Sequence, residues 1–540
     1  MQKSIEKFLL PITEYKDTNK HPICMFPGRY LYLKRIGKIN QSFNLNNCSD
    51  FQTFKSKLEL KSVSIIFSSY FINKPASAFG HTLLKLNKED PLTSDLKSYG
   101  VDFSAQVTTK NPFMYGVMGI FGGFYGRFSL MPYFLKLREY NDFESRDLWE
   151  FELNLNKSDI ELLIAHLWDM NLALFDYFYF TENCSYHVTR FIDAIKPEWN
   201  LLRDLYKITI PIDTLIPLIK NQGITKGIYF RPSQQKKSQK RLDSLNEKQK
   251  ELVKSSLENL KLKELNEVED KAKVQVLDAI IDFVDYKYPV EMHLSKSNDV
   301  QDFKREALIA RSQLNSTAST NLNKIKEDQF NYAHKARKIG IGKRNASSSG
   351  IELRHRFALH DILEPQGNIY SLFSLEMGKT LLFYNEDTKR LNLEEFEIAH
   401  VEALRPINYL EQKISWNFNF GFRNRFDIVA PFINVGIGPS VELWNQNFSL
   451  FLQSDNNHPF NERRYQESYA GVNLQWLYKK DNFGFKLNYK KFRDIVQGID
   501  NIEFIQSEVS YLPNSDYQFI LETSRSDIEN RTSVLISKYY

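Results

Sequence analysis

The sequence predicts an α+β chain in which a mixed N-terminal domain is joined by a helical bridge to a C-terminal antiparallel β-barrel of about 10–12 strands. Three changes of texture carry this. Strand-like and amphipathic helical runs interleave up to about residue 230; a charged stretch without glycine or proline fills 233–280; and apolar/polar alternation begins near residue 335 and runs to Tyr540. The boundaries they set are 1–58, 59–230, 231–334 and 335–540.

A chain of 540 residues is too long for one ordinary core, which agrees with that division. Charged residues at 25% and apolar ones at 42% are near the globular average, but 41 Phe and 28 Tyr raise the aromatic share to 14%. The net charge of +5 is small and its lysines and arginines are scattered among acids, so no nucleic-acid partner is expected. No run of apolar residues is long enough for a transmembrane helix; the nearest, Pro112 to Leu135, is broken by Gly119, Gly122, Gly123, Gly126, Arg127 and Pro132. The first thirty residues hold only a short apolar patch, Phe8 to Ile12, which is no export signal.

From Ser62 to Lys85, SVSIIFSSYF and HTLLKL read as two strands around the turn-forming INKPASAFG, with His81 at the mouth of the second. DLWEFELNL, residues 147–155, alternates as a strand does. KSDIELLIAHLWDMNLAL then places Ser158 as N-cap and Glu161 three residues on, a capping box ahead of a helix. In TENCSYHVTRFIDAI, Val188, Phe191, Ile192 and Ile195 share one helical face, and a start near Thr181 to Asn183 puts Cys184 in the first turn. The run SQQKKSQKRLDSLNEKQKELVKSSL reads as exposed bridging helices, QDFKREALIARSQL as another helix and STASTNLNKIKED as linker. Beyond these, IELRHRFAL, ISWNFNFGF, AGVNLQWLY and FGFKLNY alternate, with Ile414, Trp416, Phe418, Phe420 and Phe422 on one greasy face. The turn clusters EPQGN, NEDTK, SDNNHP and PNSD separate such runs. A closed soluble barrel or sandwich buries such faces, and an outer-membrane barrel turns them to lipid; the aromatic faces and final aromatic residue favour the membrane barrel.

A cysteine becomes a nucleophile only as thiolate. Cys184 has two sources of activation: the free N–H groups and dipole of a helix start, and a histidine that takes its proton. His81, emerging from a turn onto a strand, is the candidate base. His187, one helical turn beyond the cysteine, is a competing base or a third member. The Asn183 amide or the first-turn N–H groups suit an oxyanion, and Asn183 equally suits an N-cap. Zinc is not expected, since Cys-x-x-His needs further ligands and only Cys24 and Cys48 supply sulfur; no cofactor is implied. Three cysteines fit one disulfide plus a working thiol, and a Cys24–Cys48 bridge and two buried free thiols stand level. Glu144, Arg146 and Asp147 in DFESRDLWE either form a structural ion pair or orient the site.

NKPASAFGHTLLKL, GIFGGFYGRFSLMPYFLKLREYNDFESRDLWEFEL and FDYFYFTENCSYHV resemble the Lnb N-terminal periplasmic domain family of bacterial envelope proteins, over roughly residues 60–200. CMFPGRYLYL with Cys48, and GIELRHRFALHDIL with ISWNF, resemble flanking parts of its longer members, which implies a Cys24–Cys48 bridge and a C-terminal strand domain. The order His, then Asn-Cys at a helix start, is similar to the permuted papain-like group that contains lecithin:retinol acyltransferase. The resemblance implies periplasm and outer membrane as location, Cys184 as acylated nucleophile and His81 as base. It also implies a phospholipid acyl donor and a lipoprotein amine, or water, as acceptor. This chain lacks the namesake's hydrophobic helices, which leaves the acceptor unsecured. The Phe- and Tyr-rich stretch 112–135 suits either a flap over an acyl chain or a packed hairpin. A papain-like cell-wall peptidase and a non-catalytic outer-membrane protein are the alternatives.

Overall fold

In a computed structural model, the described residues are 2–70, 79–88, 95–203, 208–221, 223–262, 265, 268–294, 296–315, 334–364, 372–425, 427–459, 467–495, 502–526 and 530–540. They fall into two compact units, 1–325 and 326–540. Most of INKPASAFG, most of EPQGN and all of STASTNLNKIKED lie outside the described residues. Among those described, no helix is long and apolar enough to cross a membrane.

After short helices at Gln2–Phe8 and Pro22–Met25, the first unit has helices α1 (Pro27–Arg35) and α2 (Ser49–Leu58), and a Cys24–Cys48 disulfide ties their starts together. Then follow β1 (Ser62–Ser68), β2 (His81–Asn87), β3 (Tyr99–Gln106), α3 (Pro112–Phe121), β4 (Phe124–Pro132), β5 (Leu148–Leu153), α4 (Lys157–Met170), β6 (Phe175–Tyr177), α5 (Cys184–Ile195) and β7 (Thr225–Arg231). The seven strands form one sheet in the order β6-β4-β3-β2-β1-β5-β7, with every described pairing antiparallel. β1 lies between covered faces of the sheet, and all seven of its residues, three of them serines, are buried. α1 docks on α4 so closely that a Cβ on Gly28 would lie 2.6 Å from the His166 Cα, which only glycine allows.

The capping box of α4 is Asn156 with Asp159, not Ser158 with Glu161. Asn156 Oδ1 accepts the Asp159 N–H at 3.0 Å and Asp159 Oδ2 accepts the Asn156 N–H at 3.2 Å. The reciprocal pair satisfies two N–H groups that Ser158, already inside the first turn, cannot reach. The stretch 112–135 is not a hairpin: α3 is followed by β4, because Pro112–Phe121 is helical.

Helices α6 (Gln234–Asp243), α7 (Glu247–Asn259), α8 (Asp270–Lys287) and α9 (Asp299–Ser312) occupy the charged stretch and the segment that follows it. They are not exposed throughout, because α8 buries Val274, Val276, Leu277, Ala279, Ile280, Phe283 and Val284 against its neighbours. The high charge density of the sequence belongs to their outer faces and to ion pairs such as Arg241–Asp282 (2.9 Å) and Arg311–Asp278 (2.8 Å).

The second unit consists of β8 (Lys338–Asn345), β9 (Ser349–Arg356), β10 (Ala358–His360), β11 (Phe373–Asn385), β12 (Arg390–Ala403), β13 (Ser415–Arg425), β14 (Ile428–Gly438), β15 (Ser440–Leu443), β16 (Gln446–Asn457), β17 (Glu467–Lys480), β18 (Phe483–Asp494), β19 (Ile502–Tyr511), β20 (Tyr517–Ser526) and β21 (Asn530–Tyr539). Twelve of them close into an antiparallel barrel, sealed by pairing of β21 with β8 and of β9 with β11, while β10 and β15 are short additions. SDNNHP is not a turn in its first four residues, since Ser454–Asn457 finish β16. The barrel is polar within and apolar without. Along β16, Asn447, Ser449 and Gln453 are buried while Phe448, Leu450 and Leu452 are exposed. Phe418, Phe420 and Phe422 of β13 share the outer side, and Asn417 and Asn419 between them line an inner cavity of about 340 Å³.

Candidate active site

β2 lies inside the sheet, and its first residue, His81, pairs with Ser68 at the end of β1. Gly80 turns the chain into β2 at φ +83°, and a Cβ there would press to 2.7 Å from the Phe67 ring, so glycine is required ahead of the histidine. The Ser68 end is held by the buried Arg146, whose guanidinium donates to the carbonyls of Ser69 (2.5 Å) and Ser68 (3.1 Å) and pairs with Glu144 at 3.0 Å. Glu144 and Arg146 thus form a structural ion pair at the strand that backs His81, while Asp147 instead accepts the Ser233 N–H at 2.8 Å and pairs with Lys236.

α5 starts at Cys184, with Asn183 as its N-cap: Asn183 Oδ1 accepts the Tyr186 N–H at 3.2 Å. Asn183 Nδ2 donates to the carbonyls of Tyr179 (3.0 Å) and Thr209 (2.6 Å), so its amide is fully engaged in positioning the helix start. Ser185 Oγ donates to Thr82 Oγ1 at 2.7 Å and fastens the same turn to β2. The helix then packs its apolar side on β2 and β3.

This brings the thiol and the imidazole together. The Cys184 sulfur interacts electrostatically with the His81 imidazole and with the Thr82 backbone N–H. His81 Nε2 lies 2.6 Å from Asp102 Oδ1, which leaves Nδ1 for the sulfur. Lys136 Nζ holds the other carboxylate oxygen at 3.0 Å and pairs with Glu139 at 2.9 Å. The Tyr140 ring lies 5.6 Å from the imidazole and covers it. Cys184 is 5% exposed and the His81 side chain 17%, so water meets the pair chiefly at the imidazole.

The electrostatics favour the ion pair over neutral thiol and imidazole. Burial works against a charged His81, but the Cys184 thiolate and Asp102 outweigh it and raise its pKa to about 10. Burial likewise opposes the Asp102 carboxylate, and His81 and Lys136 hold it far below the usual range. Burial would raise Cys184; the charge and hydrogen bond of His81, with the Thr82 N–H, bring it below an ordinary thiol.

His187 stands apart from this trio. Its ring stacks on Phe103 at 4.0 Å and lies 5.0 Å from Phe175, and burial lowers its pKa to about 4. Alternation along β3 separates the two histidines, sending Asp102 to His81 and Phe103 to His187. Sequence reasoning missed Asp102 and Lys136. The one signal for Asp102 was an acid placed mid-strand in the otherwise apolar YGVDF, and only the β2–β3 register, Leu84 opposite Val101, converts that into proximity to His81. Glu376, Glu397 and His400, residues of metal-ligating type whose ligand atoms lie close together, belong to the barrel.

Residues 50–221 match the profile of the Lnb N-terminal periplasmic domain, and residues 331–539 match a second family described as a domain of unknown function (DUF7840). No curated protein matches the chain. Over 38% of its length the chain is similar to the KdgM porin in complex with disordered oligogalacturonate, at 10% identity across 99% of that chain with a TM-score of 0.25. It is likewise similar to the NanC porin, at 11% identity over 38% of this chain and 100% of that one with a TM-score of 0.27. A third likeness is to OmpT, an outer membrane protein of Vibrio cholerae, at 8% identity over 38% of this chain and 98% of that one with a TM-score of 0.21. A periplasmic domain family at one end and, at the other, a closed barrel with an apolar exterior and a polar interior give the chain its place in periplasm and outer membrane. Its N-terminal domain, residues 50–221, belongs to the Lnb N-terminal periplasmic domain family.

Proposed function

We propose that the first unit is a cell-envelope cysteine acyltransferase in which Cys184 is the nucleophile, His81 its acid and base, and Asp102 the group that orients and charges His81. The observation that carries this is one buried set in which the His81 imidazole meets the Asp102 carboxylate at 2.6 Å and interacts with the Cys184 thiol. The order of the two residues, histidine on an early strand and cysteine at a later helix start, resembles that of the permuted papain-like group, which supports the reading. In the first half-reaction the thiolate attacks an ester carbonyl of a phospholipid, and the His81 imidazolium protonates the departing glycerol oxygen, leaving an acyl thioester on Cys184. In the second, an amine or water attacks the thioester, His81 takes its proton, and the thiolate leaves. First-turn N–H groups of α5 are the donors for the oxyanion, because Asn183 Nδ2 is occupied by two carbonyls. A lipid donor is supported by exposed apolar side chains on α3, on β4 and in the α4–β6 connection: Met114, Ile120, Phe121, Tyr125, Leu172 and Leu174.

The test is mass spectrometry of the intact protein after incubation with phospholipid. A mass increment of one acyl chain, removable by hydroxylamine and lost in Cys184→Ala, is expected; an unmodified wild-type protein with phospholipid unconsumed refutes the reading. A second reading takes the chain as a non-catalytic outer-membrane barrel protein. It is favoured by the barrel, which needs no enzyme to explain it, and by the low exposure of Cys184. An unreactive Cys184 thiol would decide for it.

A further inference from the structure

Between β9 and β11 the chain does not cross directly. Residues 358–364 form β10 against β11 and then enter the barrel. Ile362 and Leu363 are buried in one apolar cluster with Leu404, Phe451 and Leu477. Phe451 and Leu477 are lumen-side positions, two residues from Gln453 and Gln475, which line the polar cavity. Ile520 and Leu535 are buried as well, although their strand neighbours Leu521 and Val534 are exposed on the outer side. The wall therefore presents apolar side chains inward, and Phe451 and Leu477 are the ones that Ile362 and Leu363 meet.

The segment is anchored to opposite walls. Glu364 accepts from Arg356 of β9 at 2.6 and 2.8 Å and from Lys338 of β8 at 2.7 Å. Lys479 of β17 donates to the Ile362 carbonyl at 3.1 Å. Gly484 of β18 faces the Leu363 carbonyl so closely that a Cβ there would lie 2.7 Å away. Around the ring, β19, β20 and β21 separate β18 from β8 on one side, and β11, β12, β13, β14 and β16 separate β9 from β17 on the other. Contacts on both pairs mean that 361–364 span the lumen. Above this layer the lining opens: the side chains of Lys379, Glu395 and Asp455 are 31%, 25% and 21% exposed.

We propose that the barrel is a closed anchor and not a pore, its lumen a blind polar chamber sealed by residues 358–364 at the end where β8 begins and β21 finishes. An ion passing that end would have to displace a packed segment whose Ile362 and Leu363 sit in an apolar cluster and whose Glu364 is already paired with Arg356 and Lys338. The proposal rests on the barrel spanning a bilayer and is independent of the chemistry at Cys184.

The test is planar-bilayer recording of the full-length chain in concentrated potassium chloride, with membrane insertion established beforehand by flotation with the vesicles and heat-modifiable migration. The wild-type chain is expected to give no conductance steps, and Ile362→Asp combined with Leu363→Asp to give them, because charges do not stay in the apolar layer. Stepwise conductance of the inserted wild-type chain overturns the proposal. A second readout holds if that variant fails to fold. In a Cys184→Ser background, Asn488→Cys in the chamber is expected to react with a charged thiol reagent at least about tenfold faster than Ser374→Cys, which is buried against β10 through the His360 carbonyl. Equal rates overturn the proposal too.

Discussion

Around its candidate site the first unit buries a compact charged set within an apolar fold, Cys184, His81, Asp102 and Lys136, whereas the second lines a whole lumen with charged and amide side chains and turns its apolar side outward. In the second unit buried charges are the general rule, and neighbours such as Arg354 with Glu522 or Lys486 with Glu402 match them in number and sign. There a buried ion pair is part of filling a polar interior. In the first unit the same kind of burial surrounds a lone thiol and shifts three groups toward their charged forms. Buried charge marks chemistry only where the surrounding fold has no architectural use for it.

That contrast is broken or sharpened by substitutions on either side of it. The largest effect is expected at Asp102→Asn, which keeps the shape but removes the charge that raises His81. The rate of Cys184 acylation should fall by about 10²–10⁴-fold with the thermal midpoint little changed, and an unchanged rate would return Asp102 to the status of a structural partner of Lys136. Next in size is a pair of neighbours on β17. Leu474 faces outward and Gln475 lines the cavity. Leu474→Arg should cost about 2–4 kcal/mol of stability in bilayers if it lies near the midplane, and Gln475→Arg much less. Equal costs in lipid-vesicle denaturant titrations would speak for a soluble barrel. The smallest is Asn156→Ala, which removes the α4 cap and should cost about 1 kcal/mol, against a negligible loss for Ser158→Ala; the reverse order in chemical denaturation would restore Ser158 as the cap.

What the sequence made legible follows from how local each signal is. Cys184 at a helix start was readable because an N-cap asparagine and an apolar helical face are both encoded within a dozen residues. The barrel was readable because alternation repeats strand after strand. Asp102 was not, since its role depends on a cross-strand neighbour fixed by the pairing of β2 with β3. Lys136 depends on a helix beyond β4 folding back over that pair. Ser158 and Asn156 both satisfy a capping rule, and only the reciprocal bond with Asp159 chooses between them. SDNNHP misled because a strand at the rim of a polar lumen carries polar residues on both faces, the composition of a turn.

The proposed acyl chemistry needs Cys184 as a thiolate beside an imidazolium, and Cys184 is the one cysteine outside the disulfide, so its alkylation can be followed without background. The direct measurement is the pH dependence of iodoacetamide modification of the folded full-length protein, wild type against His81→Ala. With the thiol lowered and His81 raised to about 10, the wild-type rate should already be on its plateau at neutral pH and persist there as the pH falls below the ordinary thiol range. In His81→Ala, reactivity should appear only above about pH 8.5. Two coincident profiles, both rising near that value, would contradict the ion pair.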